Sequence, residues 1–405
     1  MRTALEGIHL EDTGLVRVHG ADAVKFLQGQ LSNDVSKLSA GQSILAGFHN
    51  PQGRTVALLR LVHWDVDDIL ALVPRELAGS VAARLAKYIL RAKVKIADES
   101  ASWRVVGLID AGPAAGADSA TDLPITVGTQ TIATQSHGER AVFLRVGDEP
   151  PRWLAIAPAS PADAVGALGA FPLLDYTPAD RATWQRLEVA AGQPQVYAAT
   201  SEEFVAQMLN LDALGGIAFD KGCYTGQEVI ARAHYRGRVK RRMQRFVSRG
   251  ACQLSPGDAG QLTDGRAFKV VLSAPLADGR CDFLAVTSIV GSDAAVADAA
   301  AGLSAAAGAD VVTPPAATAS VTTQAVHPDA PPTTDPTAPP VAGPIIDPTL
   351  APVAAASVAP TVAAAAALTS AAPVPGAATS VRPAAAAPAV IVDAVQLDLP
   401  YSLPE

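Results

Sequence analysis

The chain of 405 residues is long enough to bury more than one core, and its formal net charge of −8 excludes a globally basic nucleic-acid binder. Residues 295–405 hold eight acids and one base, Arg382, so residues 1–294 are close to neutral and the acidity belongs to the tail. Cys223, Cys252 and Cys281 are odd in number and too far apart for a CxxC pair, which argues against a disulfide framework, a local zinc site and a four-thiolate iron–sulfur centre.

The opening stretch MRTALEGIHLEDTG carries acids and lacks the apolar segment of a secretory leader, and no apolar run of about 18 residues occurs, so a cytoplasmic protein without a membrane partner is expected. GLVRVHG reads as a strand, and ADAVKFLQGQL as a helix with Val24, Leu27 and Leu31 on one face. SILAGFHNPQGRTVALLRLV reads as a hairpin whose Asn50-Pro51-Gln52-Gly53 turn suits type I. A helix over RELAGSVAARLAKYILRAKV, with Val81, Leu85 and Ile89 in register, precedes a strand over VKIAD. Thr177 before Pro178 predicts an N-cap and a helix over ADRATWQRLEVAAG that closes at Gly192. Thr200, with Glu203 three residues on, predicts a capping box and a helix over SEEFVAQMLNLDAL. MQRFVSRG, AFKVVLSAP and CDFLAVTSIV are spaced as strands of a small barrel or sandwich.

From 293 to 388 the chain has no Phe, Trp or Tyr and holds 16 of the 31 prolines, a composition that predicts a disordered low-complexity insertion. Beyond it Val395, Leu397 and Leu399 alternate again, and this last stretch is expected to return to the β domain, because loop closure costs only logarithmically more with length. The expected organisation is a two-lobed core over 1–240, a C-terminal β-barrel over 241–292 plus 389–405, and the insertion 293–388.

KGCYTGQE, residues 221–228, leaves its cysteine open to three readings: a buried hydrophobe, a metal ligand or a reactive group. Thr225 and Glu228 form a T-x-x-E capping box ahead of GQEVIARAHYR, which closes at Gly237. Cys223 then precedes a helix N-terminus and follows the Lys221 ammonium at one residue's remove, and both favour a thiolate over a thiol. No histidine has a spacing that assigns it as a base to Cys223; His234 lies three turns down the helix.

FDKGCYTGQEVIARAHYRGRVKRR, with QMLNLDALGGIAF just before it, closely resembles the signature of the YgfZ-type folate-binding proteins, which assist iron–sulfur cluster assembly and repair. FLQGQLSNDVSKL, NPQGR, YILRAKVKIAD and LDLPYSLPE resemble further family segments in order, so the resemblance covers most of the chain outside 293–388. It implies an α+β, three-lobed aminomethyltransferase-like fold around a folate pocket, with tetrahydrofolate or a derivative as cofactor and no stably bound metal. By the same resemblance Cys223 and Lys221 carry the activity. Gln30, Asn33, Asp34, Arg54, Gly226, Gln227, Glu228 and Arg232 match other motif positions and are expected to face the pterin cavity.

In true aminomethyltransferases the strand after the turn matching Gly53 bears paired aspartates; here it reads RTVALLRLV. Without a carboxylate there, the chain cannot position and deprotonate a cationic amine, which argues against one-carbon transfer by the glycine-cleavage route. The expected role is an accessory one, with iron–sulfur client proteins or their assembly machinery as partners and tRNA methylthiolation served indirectly. The alternatives are a folate-dependent one-carbon transferase and a non-catalytic RNA-binding or scaffold module. Arg232, Arg236, Arg238, Lys240, Arg241, Arg242 and Arg245 follow one another without an acid, an anion-attracting surface or a solvated linker. WDVDD at 64–68 reads as a solvated turn rather than a metal loop.

Overall fold

The computed structural model describes residues 3–113, 126–134, 140–159, 176–237, 239–289 and 390–404. The expected insertion over 293–388 lies outside the described residues, as does Arg238. After β1 (Thr3–His9), which joins a later sheet, β2 (Thr13–His19), β3 (Ser43–His49), β4 (Thr55–Asp65), β5 (Asp68–Pro74) and β6 (Lys95–Asp98) form a sheet in the order β3-β4-β5-β2-β6. β4 reads as a continuous apolar run because both its faces are covered: Leu59 and Leu61 enter one core cluster, Val62 and Trp64 another. α1 (Ala23–Gln28) and α2 (Arg75–Ala86) pack on the first of these faces.

α2 ends short of the predicted register. Val81 and Leu85 are buried, but Lys87, Tyr88 and Ile89 bond back three residues, to Arg84, Leu85 and Ala86, and this tightened turn stops the helix before Ile89. In the 64–68 turn, Asp65 pairs with Arg140 at 2.7 Å and Asp68 with Arg17 at 2.6 Å.

The second sheet runs β11-β1-β7-β10-β9-β8, with β7 (Trp103–Pro113), β8 (Gln130–Thr134), β9 (Arg140–Asp148), β10 (Pro151–Pro158) and β11 (Tyr176–Pro178). It packs on the first sheet, Trp64 meeting Trp103 edge-on at 4.9 Å. Thr177 and Pro178 belong to β11 and pair with Glu6 and Gly7, so the cap of α3 (Arg181–Ala190) is Asp180, which accepts from the Thr183 N–H, and not Thr177.

Thr200 opens no α-helix. The Glu202 N–H donates to Thr55 O at 2.8 Å and the Thr55 N–H to Phe204 O at 2.7 Å, an extended bridge onto the start of β4 that competes with helical bonding. Only a 3-10 turn at Ala206–Leu209 follows, ended by Asn210 at φ 57.

α4 (Gln227–Tyr235) leads into the third sheet, β12 (Arg241–Ser248), β13 (Ala259–Leu262), β14 (Ala267–Pro275), β15 (Cys281–Ser288), β16 (Val390–Val392) and β17 (Ala394–Leu397), ordered β16-β13-β14-β15-β12-β17. β16 and β17 sit on opposite edges yet are separated by Asp393 alone, so one stretch covers both edges and the sheet curls into a barrel. Phe246, Phe268 and Phe283 fill its interior. Further on, the Tyr401 hydroxyl donates to Gly192 O at 2.7 Å and fastens the terminus against the end of α3. Among the described residues no helix is long and apolar enough to cross a membrane.

Candidate functional site

Three anchors hold the segment that carries Cys223. Lys221 Nζ donates to the carbonyls of Gln28 at 2.8 Å, Leu31 at 2.6 Å and Asn33 at 2.7 Å, groups at and just beyond the end of α1. Burial draws the Lys221 pKa down to about 8, with Asp34 pulling it up. Three carbonyl acceptors call on all three N–H groups of the ammonium, so the charged form is the one the site fits. Tyr224 is buried, its ring 5.2 Å from Lys221 Nζ and 6.4 Å from that of His49. Gly226, at φ 81, lies against the hairpin turn of Asn50–Gly53. Between these anchors Cys223 is exposed. A backbone pinned on both sides presents the thiol to solvent in a fixed place.

The predicted capping box does not form. The N-cap of α4 is Gly226, without a side-chain cap, and Thr225 precedes it. Only a left-handed residue at 226 lays this turn flat on Asn50 and Gly53, and that long-range packing outweighs a local box of ~1 kcal/mol.

The other motif residues serve the same scaffold. Asn33 Nδ2 donates to Leu45 O and Gly215 O, both at 2.7 Å, and its Oδ1 accepts from the Asp34 N–H at 2.8 Å. Asp34 caps the 3-10 turn Val35–Lys37, and hydrogen bonds from Ser36, then Lys37 and Gln28, hold its carboxyl below the usual range. Gln30 is half-buried, its Oε1 without a partner. Arg54 Nη1 donates to Glu203 O at 2.7 Å and secures the bridge beside β4. The Gln227 N–H donates to Tyr224 O at 3.3 Å. Glu228 and Arg232 are exposed on α4 and make no ion pair among the described residues. The run of cations is not one surface: Arg242 is buried against Asp212 at 2.8 Å and Arg245 pairs with Asp282 at 2.6 Å, while Arg232, Arg236 and Lys240 are exposed.

Where the three sheets meet, two adjoining cavities of about 100 and 50 Å³ share Arg60, Leu154, Glu188 and Gln193 in their walls. Neither of these two cavities is lined by Cys223, by Lys221 or by any of the eight motif residues expected to face a pterin. Glu188 descends from α3 one turn after buried Trp184. Burial holds its carboxyl above the usual range, opposed by Arg181 at 3.8 Å and by Arg152. It keeps 32% of its side-chain surface, and that surface faces the cavity. Arg152 is buried 5.5 Å over the Trp184 ring, with Nε unpartnered. Arg60 donates to Gln193 Oε1 at 2.9 Å, and burial pushes its pKa down to about 10. A carboxyl and a guanidinium in the wall of one cavity are groups that a flat polar ligand satisfies. Sequence reasoning missed Glu188; the signal was a carboxylate four residues after a tryptophan, on the inner stripe of α3.

Three sheets curled about a polar cavity define the aminomethyltransferase class of fold. The glycine cleavage system aminomethyltransferase T from Bartonella henselae superposes with a TM-score of 0.55 at 16% identity, covering 71% of this chain and 79% of that one. In sequence, the tRNA-modifying protein YgfZ of Sodalis glossinidius is 33% identical over 278 residues, 67% of this chain and 81% of its own. That of Edwardsiella ictaluri is 35% identical over 290 residues, 69% of this chain and 84% of its own. The chain belongs to the YgfZ family. No family model matches it.

Proposed function

We propose that the chain is a folate-binding accessory protein that maintains iron–sulfur enzymes, and that any contribution to tRNA modification runs through one of them, a methylthiolating enzyme with clusters of its own. The name shared by its relatives, tRNA-modifying protein, supports a link to tRNA modification. The observation that carries the reading is Glu188, a half-buried carboxyl that lines a cavity between the sheets together with the buried Arg152 guanidinium. The amino-oxo edge of a pterin offers adjacent N–H donors to such a carboxylate and a carbonyl oxygen to such a guanidinium, so the residues fit the group. When bound, tetrahydrofolate supplies a reduced pterin ring. Glu188 and Arg152 would orient it, and the apolar wall of Leu58, Leu72, Leu154 and Leu272 would exclude water.

The same wall supports an accessory role over amine chemistry. The cavity-lining polar residue of β4 is Arg60, whose cation repels a cationic amine, and no aspartate of β4 lines the cavity. Cys223 acts at the surface as a redox-responsive or cluster-handling thiol, held by Lys221 and Gly226 where a client protein can reach it. The test is complementation. Cells lacking the protein, challenged with an oxidant, lose the activity of an iron–sulfur enzyme; the wild-type chain restores it and Cys223→Ser does not. Full restoration by Cys223→Ser removes the thiol from the account.

A further inference from the structure

Phe219, half-buried against the core, ends the stretch before Lys221, and His234 of α4 stacks on it with ring centroids 3.8 Å apart and planes at 13°. Tyr235 meets both edge-on, 6.0 Å from Phe219 and 4.7 Å from His234. The step they build stands in solvent: Tyr235 is 67% exposed, His234 is exposed, and Ile230 is the one buried residue of α4. Ordered aromatic rings left on a surface mark a place where another molecule covers them.

Charge surrounds the step. Arg232 lies three residues before Tyr235, Arg236 directly after it and Lys240 a little further on, all exposed and without an ion pair among the described residues. The acids nearest in the chain are Asp220 and Glu228. A second exposed set, Lys87, Arg91 and Lys93, follows α2 with Tyr88 among them. Arg84 pairs with Glu202, whose other oxygen accepts from Asn50 Nδ2 at 2.6 Å, so the end of α2 is tied to the same hairpin turn on which Gly226 packs.

We propose that the face beside Cys223 binds RNA through unpaired nucleotides, bases stacking on the His234–Tyr235 step while Arg232, Arg236 and Lys240 hold the phosphates. An acidic protein answers the cations but leaves the rings uncovered; single-stranded RNA answers both, since every base has a π-face and every nucleotide a charge. This surface shares no residue with the cavity, so it stands or falls apart from folate binding.

The test is fluorescence anisotropy of a labelled single-stranded oligoribonucleotide with the full chain, across a salt series and without folate. Affinity falls linearly on a log–log plot, and Arg232→Ala with Arg236→Ala flattens the slope by about 0.7 for each phosphate no longer neutralised. Tyr235→Ala weakens binding roughly ten-fold at unchanged slope, and Tyr235→Phe keeps it. Polyglutamate, a polyanion without bases, competes weakly. Absence of RNA binding, Tyr235→Ala binding as tightly as the wild type, or polyglutamate displacing RNA at equal charge would each overturn the proposal.

Discussion

Gly53 and Gly226 pack backbone to backbone: a β-carbon on Gly226 would stand 2.9 Å from the Gly53 Cα and 2.5 Å from Asn50 O. Both take positive φ, 72 and 81. The packing fuses the β3–β4 hairpin turn to the turn that presents Cys223, so the position of the thiol depends on a residue 170 places upstream in sequence.

Gly226→Ala is expected to lower stability by about 1–3 kcal/mol, from a left-handed conformation that alanine resists and from the clash with backbone atoms. Urea unfolding measures the loss, and the rate at which Cys223 is alkylated measures the displacement of the turn. An unchanged midpoint would mean that the two turns are not locked together.

Lys221→Met is expected to be more costly than an exposed lysine would suggest. It deprives the carbonyls of Gln28, Leu31 and Asn33 of their shared donor, and an unsatisfied buried acceptor costs roughly 1–3 kcal/mol. Hydrogen exchange should rise over residues 28–37 before the rest of the core loosens. Protection unaltered there would show that the ammonium is dispensable.

His49 is buried with neither ring nitrogen partnered, and burial lowers its pKa to about 3 from the usual 6.5. The unfolded chain takes up a proton there between pH 6.5 and 3 while the folded chain does not, so stability from this group is intact above 6.5 and is lost as the pH falls through that window, by ~1.4 kcal/mol per unit. Subtracting the stability of His49→Leu from that of the wild type at each pH should reveal this slope. Parallel curves would show that the imidazole is solvated.

Local chemistry was legible where it acts within a few residues. The Asn50–Gly53 turn closes with a Gly53 N–H to Asn50 O bond of 2.9 Å because asparagine, proline and glycine each sit where that turn needs them. The alternation of Val395 and Leu397 marked a strand, and β17 pairs with β12. Two of the misleading signals were T-x-x-E boxes. At Thr200 the competing partner was the backbone of Thr55, and at Thr225 it was the backbone of Asn50 and Gly53, groups over a hundred residues distant that no local pattern encodes. Family likeness pointed to the residues around Cys223, and in the structure Lys221, Asn33 and Arg54 clamp backbone carbonyls. Glu188 escaped because a cavity exists only once three sheets have met around it.

The central claim is that a pterin is held at Glu188, apart from the surface thiol. Calorimetric titration of tetrahydrofolate into the wild type, Glu188→Gln and Cys223→Ser tests it most directly. Saturable binding by the wild type and Cys223→Ser, with at least ten-fold weaker binding by Glu188→Gln, is the expected result; a wild type that binds no folate, or a Glu188→Gln that binds it equally well, contradicts the account.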